Sequence, residues 1–196
     1  MIILGITGGS GCGKTTVSKI LSENGVDVID CDLVAKKIVD PGMPALNEIK
    51  DFFGSEYLNT DGTLNRKLLA ELVFSSPKHL LKLNEITHKY VEKYIDLYIK
   101  NSEADIVGID AAALIESGIY KKCGFILCVL ADKALRLKRI MMRDGLSPDE
   151  ANSRINAQKN DKFYIEKSDY ILYNNSNTDE ISGQISKILN EIRSKI

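Results

Sequence analysis

The 196-residue chain has no tryptophan, only four prolines and a formal net charge of -1. A charge so close to zero argues against the broad basic surface of nucleic-acid-binding proteins, so we expect no nucleic-acid partner. No apolar stretch approaches the roughly 20 residues that span a bilayer, so we expect no membrane association. The apolar run at residues 1–6 is also too short for a signal peptide and follows no charged segment.

Cysteine and histidine are scarce as well, with four and two residues. The cysteines form no Cys-x-x-Cys pair and the histidines lie far from them in sequence, which argues against a zinc site. Because no secretion signal is evident, we expect the thiols to stay reduced, as is typical of a cytoplasmic protein.

Short runs of β-branched and aromatic residues recur along the chain, and most are separated by longer helical patterns. These runs predict five strands, at residues 2–6, 26–29, 106–109, 125–130 and 170–173. Apolar strands that alternate with helices are typical of a parallel sheet covered on both faces, and right-handed crossovers make it doubly wound. We therefore predict an α/β fold with a five-stranded doubly wound parallel sheet, in a single domain of residues 1–196.

A glycine-rich motif follows the first predicted strand. Residues 8–15 read Gly-Gly-Ser-Gly-Cys-Gly-Lys-Thr, which matches the complete GxxxxGK[ST] pattern in the strand-to-helix context that it requires. Backbone N–H groups of such a loop and the positive end of the next helix surround phosphate, so the motif predicts ATP binding. The residues predicted to bind ATP here are Gly11, Cys12, Gly13, Lys14, Thr15 and Thr16.

Three side chains of this motif carry specific expectations. Lys14 is expected to reach the β- and γ-phosphates and to act in catalysis, and the Thr15 hydroxyl is expected to bind Mg²⁺. Cys12 lies among backbone N–H groups at a helix N-terminus, which favours the thiolate, so we expect it to react with alkylating agents. The alternative is a buried, inert thiol. The lysine also excludes the GxGxxG pattern of dinucleotide-binding folds.

Carboxylates end two of the predicted strands, on the side of a parallel sheet where ligands bind. Asp30 or Asp32 can orient or deprotonate an acceptor hydroxyl, but Asp32 can equally cap the helix that we predict after it. Asp110 can hold Mg²⁺ through water in the manner of a Walker B residue. The alternative for Asp110, which we slightly favour, is again a helix cap.

Arginines recur three and four residues apart on one predicted helical face, at Arg136, Arg139 and Arg143. Such a stripe is usually a solvated face. It precedes a second helix whose start is marked by Ser147, Pro148 and Glu150, and a helical pair at this place is a candidate lid, about residues 136–162. The phosphate-binding alternative assigns Arg139 to catalysis and Arg143 to ATP.

Between about residues 44 and 101 the alternation of strands and helices stops, and apolar residues recur with the 3.6-residue period of helices. We predict a helical insertion at about residues 41–102, which leaves residues 1–40 and 103–196 as the nucleotide-binding core. His88 lies among apolar residues of the insertion and far from the phosphate loop in sequence. We therefore do not expect it to be a general base, but substrate contact stays open.

These features together resemble the dephospho-CoA kinase family. The opening at residues 3–16, Ile-Leu-Gly-Ile-Thr-Gly-Gly-Ser-Gly-Cys-Gly-Lys-Thr-Thr, is similar to that family's opening. Similar segments follow in the same order at 28–35, 39–45, 61–66, 86–88, 114–116, 143–147 and 167–175. The phosphate loop is common to many families, but this combination over nearly the whole chain is specific.

The resemblance implies that ATP phosphorylates the ribose 3′-hydroxyl of dephospho-CoA. It places the base for the acceptor hydroxyl at Asp32 and makes the helical insertion the substrate-binding region, with Arg66 and His88 as candidate contacts. It makes residues 139–158 a lid and puts Asn175 near the adenine of ATP.

The chain departs from the family pattern at three places. Lys89 stands where the family usually has proline after the histidine, and Ala112-Ala113 stand where it has Pro-Leu. Both changes bear on the shape of the acceptor pocket. Cys12 replaces a serine of the phosphate loop, which leaves the backbone cradle intact.

Other function classes share the phosphate loop. The nearest alternative is another small-metabolite kinase, such as a nucleoside or nucleotide kinase, but the matches outside the loop argue against it. A GTPase switch needs Asn-Lys-x-Asp to recognise guanine, and this motif is absent. Intact Lys14, Thr15 and Asp32 argue against an inactive nucleotide-binding module.

Overall fold

The computed structural model describes residues 1–195 and contains a five-stranded sheet. Its strands are β1 (Ile2–Thr7), β2 (Asp27–Asp30), β3 (Ile106–Asp110), β4 (Phe125–Leu130) and β5 (Tyr170–Tyr173). They lie in the order β2-β3-β1-β4-β5, and every neighbouring pair is parallel. The predicted sheet is confirmed, and each strand lies within one residue of its predicted bounds.

The helices are, in chain order, α1 (Lys14–Glu23), α2 (Cys31–Lys37), α3 (Pro44–Phe53), α4 (Arg66–Ser75), α5 (Pro77–Asn101), α6 (Lys133–Asp144), α7 (Pro148–Asn156), α8 (Asp161–Ile165) and α9 (Thr178–Arg193). Short 3-10 helices lie at Ser55–Tyr57 and Ile119–Lys122. No helix within residues 1–195 is long and apolar enough to cross a membrane.

Parallel pairing places the carboxyl ends of all strands at one edge of the sheet, where ligands of open α/β sheets bind. At this edge Asp30 of β2 lies opposite Asp110 of β3, and Ile6 of β1 lies opposite the same aspartate. The polar residues that end β2 and β3 are therefore neighbours, next to the point where β1 enters the phosphate loop.

The chain divides into two compact units, and the first contains Met1–Asp30 and the chain from Ser102 onward. Successive residues of β4 enter different apolar clusters, because side chains alternate between the faces of a sheet. Leu127 and Val129 join the main core, which includes residues of α1 and α9, whereas Cys128 and Leu130 pack with Tyr164 of α8. Both faces of the sheet are therefore covered, as the apolar strands predicted.

The second unit, Cys31–Asn101, contains α2 to α5. The helices α2, α3 and α4 all pack against α5, which has 25 residues. The predicted helical region is confirmed, since α3 begins at Pro44 and α5 ends at Asn101. The unit also includes α2, which the predicted insertion did not, because α2 packs against α5.

A turn at residues 59–63 precedes α4. The Asn59 N–H donates to the Thr63 carbonyl at 2.8 Å, and the Asp61 carboxylate accepts from the Thr63 N–H and hydroxyl at 3.0 and 2.6 Å. These hydrogen bonds lower the pKa of Asp61. The Asn65 side chain then caps α4, so that Arg66 is the first residue of this helix.

The helical pair α6 and α7 is confirmed, and α7 begins with the cap that its sequence predicts. Gly145 ends α6 in the left-handed conformation, with φ of 67°. Ser147 accepts a hydrogen bond from the Glu150 N–H, and Glu150 accepts from the Ser147 N–H at 2.8 Å, which completes a capping box. Ile140, Ala151 and Ile155 join the two helices through a small apolar cluster.

Cys12 of the phosphate loop belongs to the main core. Its side chain is fully buried, and burial raises the pKa of the thiol, although the charges of Arg136 and Lys14 oppose the shift. The expectation of a favoured thiolate is therefore wrong, because desolvation of the charged form outweighs the nearby positive groups.

We expect Ser147→Ala to destabilise the protein by about 1 kcal/mol, because the first turn of α7 loses its cap. In a chain of this size that corresponds to a fall of about 2–4 °C in melting temperature. Calorimetry of the purified variant measures the shift. Ser153→Ala on the exposed part of the same helix is the control, and equal melting temperatures for the two variants would contradict the capping argument.

We also expect Cys12 to resist iodoacetamide in the folded protein at pH 7.5, because the thiol is buried and its raised pKa suppresses the thiolate. Peptide mass spectrometry after a short treatment, with and without urea, measures the modification at each cysteine. Modification of Cys12 in the folded protein at the rate found in urea would show that the thiol is accessible and reactive.

Candidate active site

The phosphate loop, residues 8–13, joins β1 to α1. Gly11 and Gly13 have φ of 78° and 84°, a region that favours glycine. A Cβ atom at Gly11 would lie 2.7 Å from the Arg136 carbonyl oxygen, and one at Gly13 would collide with the Asn174 amide. Glycine is therefore required at both positions. The first N–H groups of α1, which lack partners within the helix, are then available to an anion.

Lys14 is the first residue of α1, and its side chain bends back across the loop. Its Nζ donates to the Gly8 carbonyl at 2.7 Å, so the ammonium lies beside the first residue of the loop. Thr15 and Thr16 follow on the first turn of α1 and are exposed. The loop thus combines a positive charge, backbone donors and hydroxyl groups, which is the chemistry that a triphosphate needs.

The carbonyl groups of the loop are bound by side chains from other elements. Arg136 Nε donates to the Ser10 carbonyl at 3.0 Å, and Arg139 donates to the carbonyls of Gly11 and Cys12 at 3.3 and 3.4 Å. Buried Asn174, which follows β5, donates to the Cys12 carbonyl at 2.8 Å. These contacts hold the carbonyl groups of Ser10, Gly11 and Cys12 in place.

The three arginines of the stripe therefore differ in burial and in their contacts. Arg136 is only 5% exposed and Arg139 is half-buried, so the solvated-face interpretation is wrong for these two residues. Arg143 is exposed and forms a paired contact with the Asp144 carboxylate at 2.9 and 2.8 Å, which lowers the pKa of Asp144. Binding of ATP by Arg143 stays a prediction.

Asp110 does not cap a helix, so that interpretation is wrong. Within the described residues, turns follow β3 and the next helix is the short 3-10 helix at Ile119–Lys122. The carboxylate accepts a hydrogen bond from the Ser18 hydroxyl of α1 at 2.6 Å. Ser18 lies one turn after Lys14 and Thr15, so Asp110 is held beside the helix that begins the phosphate site.

Oxygen donors suited to Mg²⁺ are present at this place. Asp110 offers a carboxylate and Thr15 a hydroxyl, the hard ligands that this ion prefers. The described residues contain no cluster of three or more acidic, histidine or cysteine side chains that could hold a metal. Mg²⁺ in nucleotide sites takes most of its ligands from phosphates and waters, and one or two from the protein.

Asp32 lies in the first turn of α2, which begins one residue earlier at Cys31. It is therefore not the cap of that helix, and the capping alternative is wrong. Its side chain is exposed, and a carboxylate in the first turn is stabilised by the helix dipole. The role of Asp32 toward an acceptor stays a prediction.

In the second unit, Arg66 and His88 are exposed on α4 and α5. The Arg66 guanidinium donates to the Lys36 carbonyl at 3.2 Å, near the end of α2. Next to His88, Lys89 Nζ donates to Glu48 Oε2 at 2.6 Å, and the same oxygen accepts from the Tyr90 hydroxyl at 2.9 Å. These contacts lower the pKa of Glu48 and raise those of Lys89 and Tyr90.

Asn175 is exposed two residues after the end of β5 and pairs with Asp132. Its Oδ1 accepts from the Asp132 N–H at 2.8 Å, and its Nδ2 donates to Asp132 Oδ1 at 2.9 Å. This contact joins the end of β5 to the residue that precedes α6. Contact of Asn175 with adenine stays a prediction.

Sequence reasoning did not identify several residues that hold the loop. Asn174 was visible only as part of the Asn174-Asn175 pair in the family pattern, and nothing in the sequence marked Ser18 as the partner of Asp110. Gln158 appeared only as the end of the predicted lid. Its side-chain Oε1 accepts from the Ser10 N–H at 2.7 Å.

Known proteins with the same features were found by comparison of sequence and structure. The model of the dephospho-CoA kinase family matches residues 2–180. The dephospho-CoA kinase of Corynebacterium glutamicum is 34% identical over 199 residues, which cover 100% of both chains.

Two solved structures extend the similarity to the fold. The Thermus thermophilus protein TT1252 has 30% identity and a TM-score of 0.83, with 100% of this chain and 97% of that chain covered. Dephospho-CoA kinase from Campylobacter jejuni has 28% identity and a TM-score of 0.68, with 99% and 98% covered. With its phosphate loop on a parallel five-stranded sheet and its full-length match to these relatives, the chain belongs to the dephospho-CoA kinase family.

Proposed function

We propose that this protein transfers the γ-phosphoryl group of ATP to the ribose 3′-hydroxyl of dephospho-CoA, giving CoA and ADP, the final step of coenzyme A biosynthesis. The observation that carries the proposal is the phosphate loop, with Lys14 folded across it, in a chain that belongs to this family. ATP is the co-substrate, and the enzyme is a phosphotransferase with an alcohol group as acceptor.

The phosphate loop binds the β- and γ-phosphates through backbone N–H groups from Gly11 to Thr16. Lys14 leaves the Gly8 carbonyl and stabilises the negative charge of the transferring group. Arg139, already held at the loop through the Gly11 and Cys12 carbonyls, adds further positive charge close to the bound phosphates. Arg143 and Asn175 complete the ATP site, the latter beside adenine.

Mg²⁺ is the second requirement of the reaction, and it supplies charge neutralisation at the β- and γ-phosphates when bound. We assign the Thr15 hydroxyl as its protein ligand, and we assign Asp110 a contact with its waters. The Ser18 hydroxyl orients the Asp110 carboxylate by its 2.6 Å hydrogen bond.

The acceptor needs a base and a binding region. We assign Asp32 as the base that orients the ribose 3′-hydroxyl and takes its proton, because it lies in the first turn of the helix that follows the strand ending at the ligand edge of the sheet. Arg66 and His88 are assigned to contact the acceptor. The segment from about residue 136 to 162 acts as a lid. We also propose a cytoplasmic location, which is compatible with four cysteines that form no disulfide in the described part of the chain.

The first test is the choice of acceptor. We expect dephospho-CoA to be phosphorylated with ATP and Mg²⁺ faster than any member of a panel of nucleosides and nucleotides at equal concentration. Coupled measurement of ADP release gives the rates, and ³¹P NMR of the product locates the new phosphate on the 3′-oxygen. A nucleoside or nucleotide that turns over faster would favour the alternative kinase class.

The second test is Asp32→Asn. The amide keeps the shape of the carboxylate but cannot take a proton, so we expect kcat to fall about a hundredfold to ten-thousandfold. ATP affinity and the melting temperature should stay near those of the parent, because the side chain is exposed. Steady-state kinetics, ATP titration and a melting curve on one preparation give all three values.

Asp30→Asn is the companion variant, since Asp30 ends β2 two residues earlier and lies opposite Asp110. We expect a smaller fall in kcat for Asp30→Asn than for Asp32→Asn. Turnover by Asp32→Asn close to the parental rate, or a larger loss in Asp30→Asn, would move the base away from Asp32.

A further inference from the structure

Side chains from other parts of the chain bind both backbone polar groups of Ser10, a residue of the phosphate loop. Its N–H donates to Gln158 Oε1 at 2.7 Å, and its carbonyl accepts from Arg136 Nε at 3.0 Å. Gln158 lies just past the end of α7, in the linker to α8. Neither hydrogen bond is with a neighbour in sequence, so the loop conformation at Ser10 is imposed by the helical pair and its linker.

The direction of the Ser10 carbonyl fixes the direction of the next donor. In a planar trans peptide the C=O and N–H groups point to opposite sides. When Arg136 holds the Ser10 carbonyl on one side, the Gly11 N–H must point to the other side. Because Gln158 holds the preceding N–H of Ser10, both peptide planes that flank this residue are set.

The same linker reaches the loop by a second route. Arg136 also donates to Asp161 Oδ1 at 3.1 Å, and Asp161 is the first residue of α8, three residues after Gln158. The position of Gln158 is itself set by α7, because its N–H donates to the Ile155 carbonyl at 3.2 Å. The linker therefore contacts Ser10 directly through Gln158 and indirectly through Asp161 and Arg136.

Gly9 makes this approach possible. A Cβ atom at residue 9 would lie 3.2 Å from Gln158 Oε1 and would collide with the Arg136 guanidinium. The glycine therefore leaves the space in which both side chains reach Ser10.

We propose that Gln158 is a positioning residue for ATP, which fixes the phosphate loop through the Ser10 backbone and links its donor geometry to the α7–α8 linker. In this assignment its oxygen acts on ATP through the Ser10 N–H to which it is bound. The proposal rests on the proposed function only in taking ATP as the nucleotide.

The test is ATP affinity, measured by titration calorimetry with Mg²⁺ and no acceptor, so failure of dephospho-CoA as a substrate would not affect it. Gln158→Met keeps the length of the side chain but lacks a strong acceptor. Without that acceptor, the loop of the ATP-free protein moves to a conformation in which the Ser10 N–H finds another partner. ATP binding must then return the loop to its original conformation, in which the Ser10 N–H has no partner, and this costs binding free energy. We expect the Kd for ATP to rise about tenfold.

Three further variants make the result specific. Gln158→Glu keeps an acceptor oxygen at the same reach, and we expect it to restore the Kd to within about threefold of the parent. Gln158→Asn is one methylene shorter, and we expect the same loss as in Gln158→Met. Lys187→Met, on the exposed part of α9 and outside the segment proposed as the lid, is the control and should bind ATP within twofold of the parent.

The fold should tolerate these changes, because Gln158 lines an open cleft of about 300 Å³ with Ile155 and Asn160. Should Gln158→Met nevertheless fail to fold, Gln158→Asn carries the test. A Kd within twofold of the parent for the acceptor-free or shortened variant would overturn the proposal. So would a Gln158→Glu variant that binds ATP no better than these two, because the lost acceptor would then not explain the effect.

Discussion

A phosphate-binding loop has to direct its N–H groups to one side, and this constrains the rest of the first unit. Each peptide that offers a donor to phosphate turns an acceptor the other way, and a buried carbonyl without a partner is costly. Here Arg136, Arg139 and Asn174 bind the outward carbonyls of the loop. The positions of α6 and of the chain after β5 are thus tied to the geometry of the loop.

Arginine is well suited to this role, because its planar group donates in several directions and stays charged when buried. Removal of a charge from water is expensive unless it has close partners. Arg136 has two, the Ser10 carbonyl and the half-exposed Asp161 carboxylate, so its charge is compensated while the loop is held. The same positive charges lie beside the place where we propose that ATP phosphates bind.

Patterns within single elements were sufficient to predict the sheet, the helical region and the phosphate loop. The strands are apolar because both faces of the sheet are covered, and the capping box of α7 lies within four successive residues. Local rules failed where tertiary contacts decide the outcome. Cys12 follows the rule for a reactive thiol, yet core burial raises its pKa, and Arg136 follows the pattern of a solvated face, yet it is buried.

The capping predictions for Asp32 and Asp110 failed for a related reason. A short polar residue after a strand predicts a cap, but the helix after β2 begins one residue too early for Asp32 to be its cap. After β3 the chain enters turns, and Asp110 instead pairs with Ser18, which lies 92 residues earlier in the sequence. No local pattern identifies a partner at such a distance.

Lys89, where the family usually has proline, is a departure whose structural consequence is confined to the helical unit. A proline inside a helix removes a backbone donor and kinks the chain. With lysine, α5 continues through this position for its full 25 residues, and its ammonium pairs with Glu48 of α3. The neighbouring His88 therefore lies on an uninterrupted helix. The Lys89–Glu48 ion pair next to it adds a contact between α5 and α3. The change acts on the region proposed to bind the acceptor, whereas the residues that hold the phosphate loop belong to the first unit.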